Sequence, residues 1–251
     1  MDKIKISSTS YLLPNNQAWS ELEAVSELSF GNYGNVLNDI INFNEEHLMS
    51  IIFIEDIFND NLVKYKNFIK SYTKLIEKRL KNTTKVMVVG ICINYNDDLI
   101  ETTKKISKEK KLSEKFTKKL YQISNNYNNF FILDLDKEFS RHGFDNIFDY
   151  RNWYYAHCRL SSQGLRVISK SISKIFYRYN NTAHKLLALD CDNTIWGGVA
   201  GEDGIKGLQL GTDGIGLIYS DFQKIVKKLI KQGIIVSLVS KNNEEDVWSI
   251  F

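Results

Sequence analysis

The chain is poor in proline, in cysteine and in net charge. One proline and 14 glycines in 251 residues exclude collagen-like and proline-rich low-complexity architecture. Three cysteines, Cys92, Cys158 and Cys191, lie far apart without a C-x-x-C pair, so neither a disulfide framework nor a zinc knuckle is indicated. An odd number of thiols suits a reducing compartment. Lys and Arg number 33 against 30 Asp and Glu, a formal net charge of +3. That falls short of the basic footprint of a dedicated nucleic-acid binder, and no nucleic-acid partner is expected. No run approaches the ~20 apolar residues of a membrane span. The amino terminus, MDKIKISSTSYLL, lacks a signal peptide's sustained apolar core and small-residue cleavage site. The expectation is a cytoplasmic protein with no membrane partner.

What is present is ordinary globular material: 43% hydrophobic and 25% charged residues, which excludes wholesale disorder. Short apolar runs alternate with helical patterns. Lys3 to Ser8, Leu48 to Ile54, Lys85 to Ile91, Phe130 to Leu135, Lys185 to Leu189 and Ile234 to Val239 read as strands. Between them, Leu62, Tyr65, Phe68, Ile69, Tyr72, Leu75 and Ile76 recur at spacings of three and four, one face of a helix over Asn61 to Leu80. Leu160 to Tyr179 repeats the pattern with Ser161 or Ser162 as N-cap. A third helix over Asp221 to Lys231 is stopped by Gly233. Regular βαβα alternation predicts an α/β fold with parallel sheets, whose ligands bind outside the carboxyl ends of the strands. The charge-dense stretch Lys104 to Lys119 has mixed signs and is interrupted by Ile106, Leu112 and Phe116, and it reads as a solvated helix face rather than a binding patch.

Composition shifts near Asn180-Asn181-Thr182. Beyond it, Gly197, Gly198, Gly201, Gly204, Gly207, Gly211, Gly214 and Gly216 crowd into twenty residues. A domain boundary is placed at about residue 181, giving domains over 1–181 and 182–251.

The chemistry-bearing segment follows that boundary. In LLALDCDNTIWGGVAG a strand runs directly into Asp190-Cys191-Asp192-Asn193-Thr194. Carboxylates at i and i+2 of a strand end point to the same side. Like charges that close resist joint ionisation unless a cation compensates, so Asp190 and Asp192 are candidate ligands of Mg2+. One could attack a phosphorus and the other pass a proton to the leaving oxygen. Fifty residues after Asp190, a second apolar strand ends at Ser240-Lys241-Asn242, ahead of a helix start at Asn243 or Glu244. A hydroxyl, an ammonium and a helix start together make a phosphate cradle.

DxDxT at one strand end and a hydroxyl at the end of a following strand resemble motifs I and II of the haloacid dehalogenase (HAD) superfamily. The longer string DCDNTIWGGVAGEDGIKGLQLG, followed by VSLVSKNNEEDV, resembles the FkbH-like group, HAD subfamily IIIC, over Lys185 to Phe251. The resemblance implies Asp190 as nucleophile and metal ligand, and Asp192 as general acid/base with its carbonyl on Mg2+. It implies that Thr194 braces the loop and that Ser240, with Lys241 or Asn242, holds phosphoryl oxygens. Trp196 to Gly216 matches the family's flap. FkbH-like enzymes are associated with loading a glyceryl unit from a phosphorylated C3 donor onto an acyl carrier protein, with a thioester on the cysteine of the DxD motif. Cys191 occupies that position, where a thiolate near Mg2+ and Lys241 would have a lowered pKa. It reads equally well as the small apolar residue that the position accepts. Plain phosphatase activity, and a non-catalytic carrier-docking module, are the alternatives. A HAD site also needs a later lysine and a later acidic pair. None follows Ser249, so the expectation is a fragment or truncated product that catalyses poorly, with an incomplete HAD-type Rossmannoid domain.

Residues 1 to about 180 resemble the flavodoxin-like, SGNH-hydrolase-like domain that precedes the HAD domain in that group. Aligning Ser161 and Gly164 with the SGNH turn puts Arg159 at the histidine and Ala156 at the aspartate, with His157 out of register. Ser7 and Ser8 lack a Gly-Asp-Ser context. The resemblance therefore implies a catalytically silent domain that docks a carrier protein or shapes the second site, with Trp153, Tyr154 and Tyr155 either lining that contact or filling core. Cys92 and Cys158 read as core, and His47, His142 and His184 carry no pattern.

Overall fold

The computed structural model describes residues 2–42, 46–58, 61–93, 108–180 and 184–250. Ile106, Asn181 and Thr182 lie outside the described residues. The chain divides into two compact units, Met1–Tyr177 and Arg178–Phe251. Both are built on parallel strands, so the expected α/β class holds.

The first unit runs β1 (Asp2–Ser8), a 3-10 turn (Gln17–Trp19), α1 (Ser20–Glu23), β2 (Ser26–Phe30), α2 (Val36–Ile41), β3 (His47–Phe53), α3 (Ile54–Phe58) and α4 (Leu62–Leu80). It continues with β4 (Met87–Cys92), α5 (Lys108–Ser124), β5 (Phe130–Asp134), α6 (Leu135–Ser140), α7 (Phe144–Ile147), α8 (Tyr150–Ala156) and α9 (Ser162–Asn180), whose last turn crosses into the second unit. The five strands form one parallel sheet in the order β2-β1-β3-β4-β5. Helices cover both faces, which explains why β3 and β4 are continuous apolar runs rather than alternating ones. Met49, Ile51 and Val88 point into a core with Trp19, Phe139, Leu165 and Ile168. Leu48, Ile52, Met87 and Val89 point the other way, against Tyr65, Tyr72, Ile76, Phe116 and Leu120. Each such side chain, fully buried, contributes about 1.5–3 kcal/mol.

Local signals set the helix ends. The Asn61 side chain accepts from the N–H groups of Val63 and Lys64 at 3.1 and 2.9 Å and so caps α4. Ser161 caps α9 through the N–H of Gly164 at 3.2 Å. The charge-dense stretch lies largely in α5, which faces the core with Phe116 and Leu120 and solvent with its lysines. Strand β2 was absent from the sequence reading. Its SELSF is half polar because it is an edge strand, and edge strands need only partial burial.

The second unit runs β6 (Leu186–Leu189), α10 (Ala200–Gly207), α11 (Gly214–Lys231), β7 (Ile235–Leu238) and α12 (Glu244–Ile250). Gly204, at φ 62° and ψ 172°, breaks α10 in the middle. Helix α11 starts seven residues before its sequence-based start and ends at Lys231, two residues ahead of Gly233, whose φ of 91° only glycine adopts freely. Strands β6 and β7 pair in parallel, Leu189 opposite Leu238, so both chains leave the sheet side by side. Leu189, Cys191, Ile195, Trp196 and Val247 form this unit's core. Among the described residues no helix is long and apolar enough to cross a membrane.

Candidate phosphoryl-transfer site

Because Leu189 sits opposite Leu238, Asp190-Cys191-Asp192 and Ser240-Lys241-Asn242 emerge at the same edge of the two-stranded sheet. The N–H of Val239 donates to the carbonyl of Leu189 at 2.8 Å and carries the pairing up to the loops. The DxDxT segment then turns sharply. The N–H groups of Thr194 and Ile195 both return to the carbonyl of Cys191, at 3.2 and 2.9 Å. Asn193 occupies the left-handed region at φ 52°, a conformation asparagine tolerates better than most residues. Its side chain accepts from the N–H of Gly198 at 2.9 Å, which ties the loop to the start of the flap. The flap is closed by a reciprocal pair between Gly197 and Gln209, at 3.2 and 2.8 Å.

The two carboxylates have different surroundings. Asp190 is exposed and accepts only the N–H of Cys191, at 2.8 Å, among the described residues. Asp192 is half-buried and accepts three hydrogen bonds. These come from the Trp196 indole at 3.0 Å, the N–H of Ala200 at 3.1 Å and the Asn242 amide at 2.8 Å. Burial alone would raise Asp192, but these three donors outweigh it and hold the carboxyl below its ordinary value. The sequence reading named Asn242 for phosphate, and the structure gives its amide to Asp192. It had no role for the Trp196 side chain or the Ala200 N–H, although both lie within the motif string.

The hydroxyl of Ser240 accepts from the N–H of Asn242 at 3.1 Å and is hydrogen-bonded to Cys191. Lys241 is exposed and makes no ion pair among the described residues. Thr194 is half-buried within the turn. Cys191 is completely buried in the unit's core. Burial pushes its thiol up, the Asp190 and Asp192 charges add to that, and the Ser240 hydrogen bond offsets only part. The Cys191 side chain packs with Trp196 and its neighbours in the unit's core.

Two clustered carboxylates fit Mg2+, which takes one or two protein carboxylates and completes its octahedron with water and substrate phosphate. Among the described residues no group of three or more His, Cys, Asp or Glu gathers that could hold a metal by itself.

The first unit holds a second polar cluster at the carboxyl ends of β1 and β3, where the strand order reverses. Arg159 donates to Asp56 at 2.8 and 2.6 Å, pairs with Glu55 at 2.7 Å and lies 4.0 Å over the Trp153 ring. Thr9 donates to Asp56 at 3.1 Å. Burial raises the Asp56 carboxyl, against the opposing charge and hydrogen bond of Arg159 and that of Thr9. His157 is exposed, stacks on Tyr33 and meets Trp153 edge-on, with no hydrogen bond from its ring to Ser7, Ser8 or Ser10 among the described residues. Asp56 is thus engaged by Arg159 and Thr9. Asp56 was missed in the sequence, although an acidic pair directly after the strand read over Leu48 to Ile54, apolar but for Ser50, was a usable signal. Cys92 and Cys158 are buried, while Tyr154 and Tyr155 are exposed.

No family model and no curated protein matches the chain. Among solved structures, it is similar to the N-terminal part of the protein BF1531 from Bacteroides fragilis, which contains a phosphatase domain and was crystallised with Mg. The TM-score is 0.79 at 24% identity, over 99% of this chain and 71% of that one. At that identity the likeness is one of fold, and it extends through both units. A candidate SGNH hydrolase from Slackia heliotrinireducens matches at TM-score 0.43 and 12% identity, over 70% of this chain and 98% of that one.

Proposed function

We propose that the carboxyl end of the β6–β7 pair is a Mg2+-dependent phosphoryl-transfer site of HAD type, acting on a phosphorylated small molecule. The carrying observation is the division of labour between two carboxylates two residues apart: Asp190 is exposed and nearly free, while Asp192 is fixed by three donors. Asp190 is placed to attack phosphorus and carry the phosphoryl group as an aspartyl-phosphate. Asp192, held ionised, is suited to take the proton of the water that releases it. The Ser240 hydroxyl and Lys241 ammonium, on the adjacent strand end, are the groups available to phosphoryl oxygens, and Asn242 is a positioning residue for Asp192. Asp190 and Asp192 would hold Mg2+, which when bound neutralises charge on the phosphoryl oxygens. The Mg-bound phosphatase-domain protein of the same fold supports this reading.

The finer reading, glyceryl loading onto an acyl carrier protein through a Cys191 thioester, rests on the motif string. It requires an accessible thiol, and the thiol here is buried. Phosphoryl transfer is therefore the reading that the geometry favours. The test is Mg2+-dependent phosphate release from p-nitrophenyl phosphate. Asp190→Asn is expected to cut release by more than about 100-fold, and Cys191→Ala to leave it unchanged. Undiminished release by Asp190→Asn sinks the assignment of the site. Loss of release in Cys191→Ala would put the thioester reading first.

A further inference from the structure

The carboxylate assigned to proton transfer is aimed by a short segment whose own anchors lie elsewhere in the flap. The Trp196 indole and the N–H of Ala200, at 3.0 and 3.1 Å, converge on one oxygen of Asp192, Oδ1, while Asn242 holds Oδ2. Between those two donors lie Gly197, Gly198 and Val199. Consecutive glycines have a wide conformational choice, so the direction of both donors depends on what fixes the residues between them. Each is fixed through its N–H. Gly197 donates to the carbonyl of Gln209 at 3.2 Å, Gly198 to the Asn193 side chain at 2.9 Å and Val199 to Oδ2 of Asp203 at 2.8 Å.

We propose that Asp203 is a positioning residue for Asp192: by holding the Val199 N–H it directs the Ala200 N–H, and through the Gly-Gly link the Trp196 indole, onto Oδ1. The catalytic consequence rests on the phosphoryl-transfer reading above, whereas the contact itself does not.

Three features single out Asp203. The first is the peptide plane it grips. The N–H of Asp203 donates to the carbonyl of Val199 at 2.9 Å, and that carbonyl belongs to the same planar peptide as the Ala200 N–H. Main chain and side chain of Asp203 therefore hold both ends of Val199, and with them the rotation of the plane that faces Asp192. The second is the space kept for its side chain. A Cβ at Gly198, where φ is 98°, would meet Asp203 Oδ2 at 2.8 Å, and one at Gly207 would meet Asp203 Cβ at 2.9 Å. The third is the lack of a substitute. Val199 stands at the N-cap of α10 without a side-chain cap, and the helix breaks at Gly204, one residue after Asp203, so one turn of helix has to keep its direction through this contact. Asp203 is itself exposed, and its substitution removes the tie without opening the core.

The experiment compares the whole chain with Asp203→Ala and with Asp203→Asn, which keeps an oxygen able to accept the Val199 N–H. In 1H–15N spectra of the metal-free chain, the Trp196 indole resonance is expected to shift in Asp203→Ala in the direction that Asp192→Ala shifts it. It should stay in place in Asp203→Asn. The Trp248 indole, bound to Glu244 at 3.2 Å within α12 of the same unit, should stay in place in both. With p-nitrophenyl phosphate and Mg2+, Asp203→Ala should lower kcat about 10- to 100-fold with KM changed by less than about twofold, and Asp203→Asn should restore most of the loss. An unmoved Trp196 resonance in Asp203→Ala, a Trp248 shift as large as that of Trp196, equal losses in the two variants, or a change in KM alone would each overturn the proposal. A chain that releases no phosphate while its Trp196 resonance responds as expected upholds the positioning of Asp192 and sinks the phosphoryl-transfer reading instead.

Discussion

The two units are built from equally apolar strands, yet they bury them differently. Every residue of β3 and β4 is buried, because helices pack on both faces of a five-stranded sheet. Strands β6 and β7 read just as apolar, but they form a sheet of two with only one face covered: Leu187, Leu189, Val236 and Leu238 pack on Phe222, Val226 and Val247. On the other face Leu186 and Ile235 remain 60% and 64% exposed. Helix α11 shows the same contrast with α4. Tyr65, Tyr72 and Ile76 of α4 are fully buried, whereas no residue of α11 is buried. The lesson is that a hydrophobic pattern selects the element, and the number of neighbouring layers decides what that element contributes to stability.

The contrast can be broken at several depths. The largest effect is expected at the ion pairs. Arg159→Met leaves Asp56, whose side chain is 8% exposed, without its charged partner, and should cost about 3–5 kcal/mol in urea unfolding. Lys224→Met removes an exposed pair with Asp221, 66% and 60% exposed, and should stay within about 1 kcal/mol. Equal losses would show that the two units do not differ in the way argued.

Next comes packing. Ile51→Ala in the centre of the sheet should cost roughly 2–5 kcal/mol, and Ile235→Ala on the uncovered face about 0.5 kcal/mol or less. A cost for Ile235→Ala comparable to that for Ile51→Ala would mean that this face is covered in solution.

The smallest effect is in pH dependence, and it separates the units by window. The His47 ring accepts the N–H of Val86 on Nδ1 at 3.0 Å and is therefore neutral. Burial lowers its pKa from 6.5. Because the folded state binds the proton less well than the unfolded state, stability of the first unit should begin to fall as pH drops below about 6.5 and level off once the folded pKa is passed. Asp192 is depressed from 3.8. Its contribution is complete above that unfolded value and is lost as pH falls through the folded one, so the second unit should respond only in stronger acid. Fluorescence of single-tryptophan variants retaining Trp19 or Trp196 would read the units separately. Coincident acid transitions that do not respond to His47→Gln would refute the His47 assignment.

Much of this was legible in the chain. The six strands read from the sequence, four in the first unit and two in the second, became β1 and β3 to β7 with shifts of one or two residues at their ends, because runs of Ile, Val and Leu bounded by turns have few other solutions. The α9 cap, read as Ser161 or Ser162, and the Gly233 stop are local events and were legible, whereas the Asn61 cap of α4 was read only as the first residue of its helix. Strand β2 was not legible, because an edge strand with alternating polar residues looks like a loop until its partner is known. The short helices α1, α3 and α6 to α8 likewise carry too few residues to show a period.

The site divides along the same line. The spacing of Asp190, Asp192 and Ser240 determined which groups share a strand-end edge, because a parallel pair of strands delivers its following loops together. It determined the residue types available for phosphoryl chemistry and the candidate cation. Only the tertiary structure decided which carboxylate is free. Asp192 receives the Trp196 indole and the Asn242 amide from four and fifty residues away, and these contacts depend on how the flap and α12 fold back. Only the tertiary structure turned Cys191 inward, where burial raises its pKa, and brought Asp56 to Arg159 across 103 residues. The alternation of side chains along a strand is a property of the backbone and travels with the sequence. Desolvation and hydrogen-bond partnership are properties of the surroundings, and they exist only once the chain has folded.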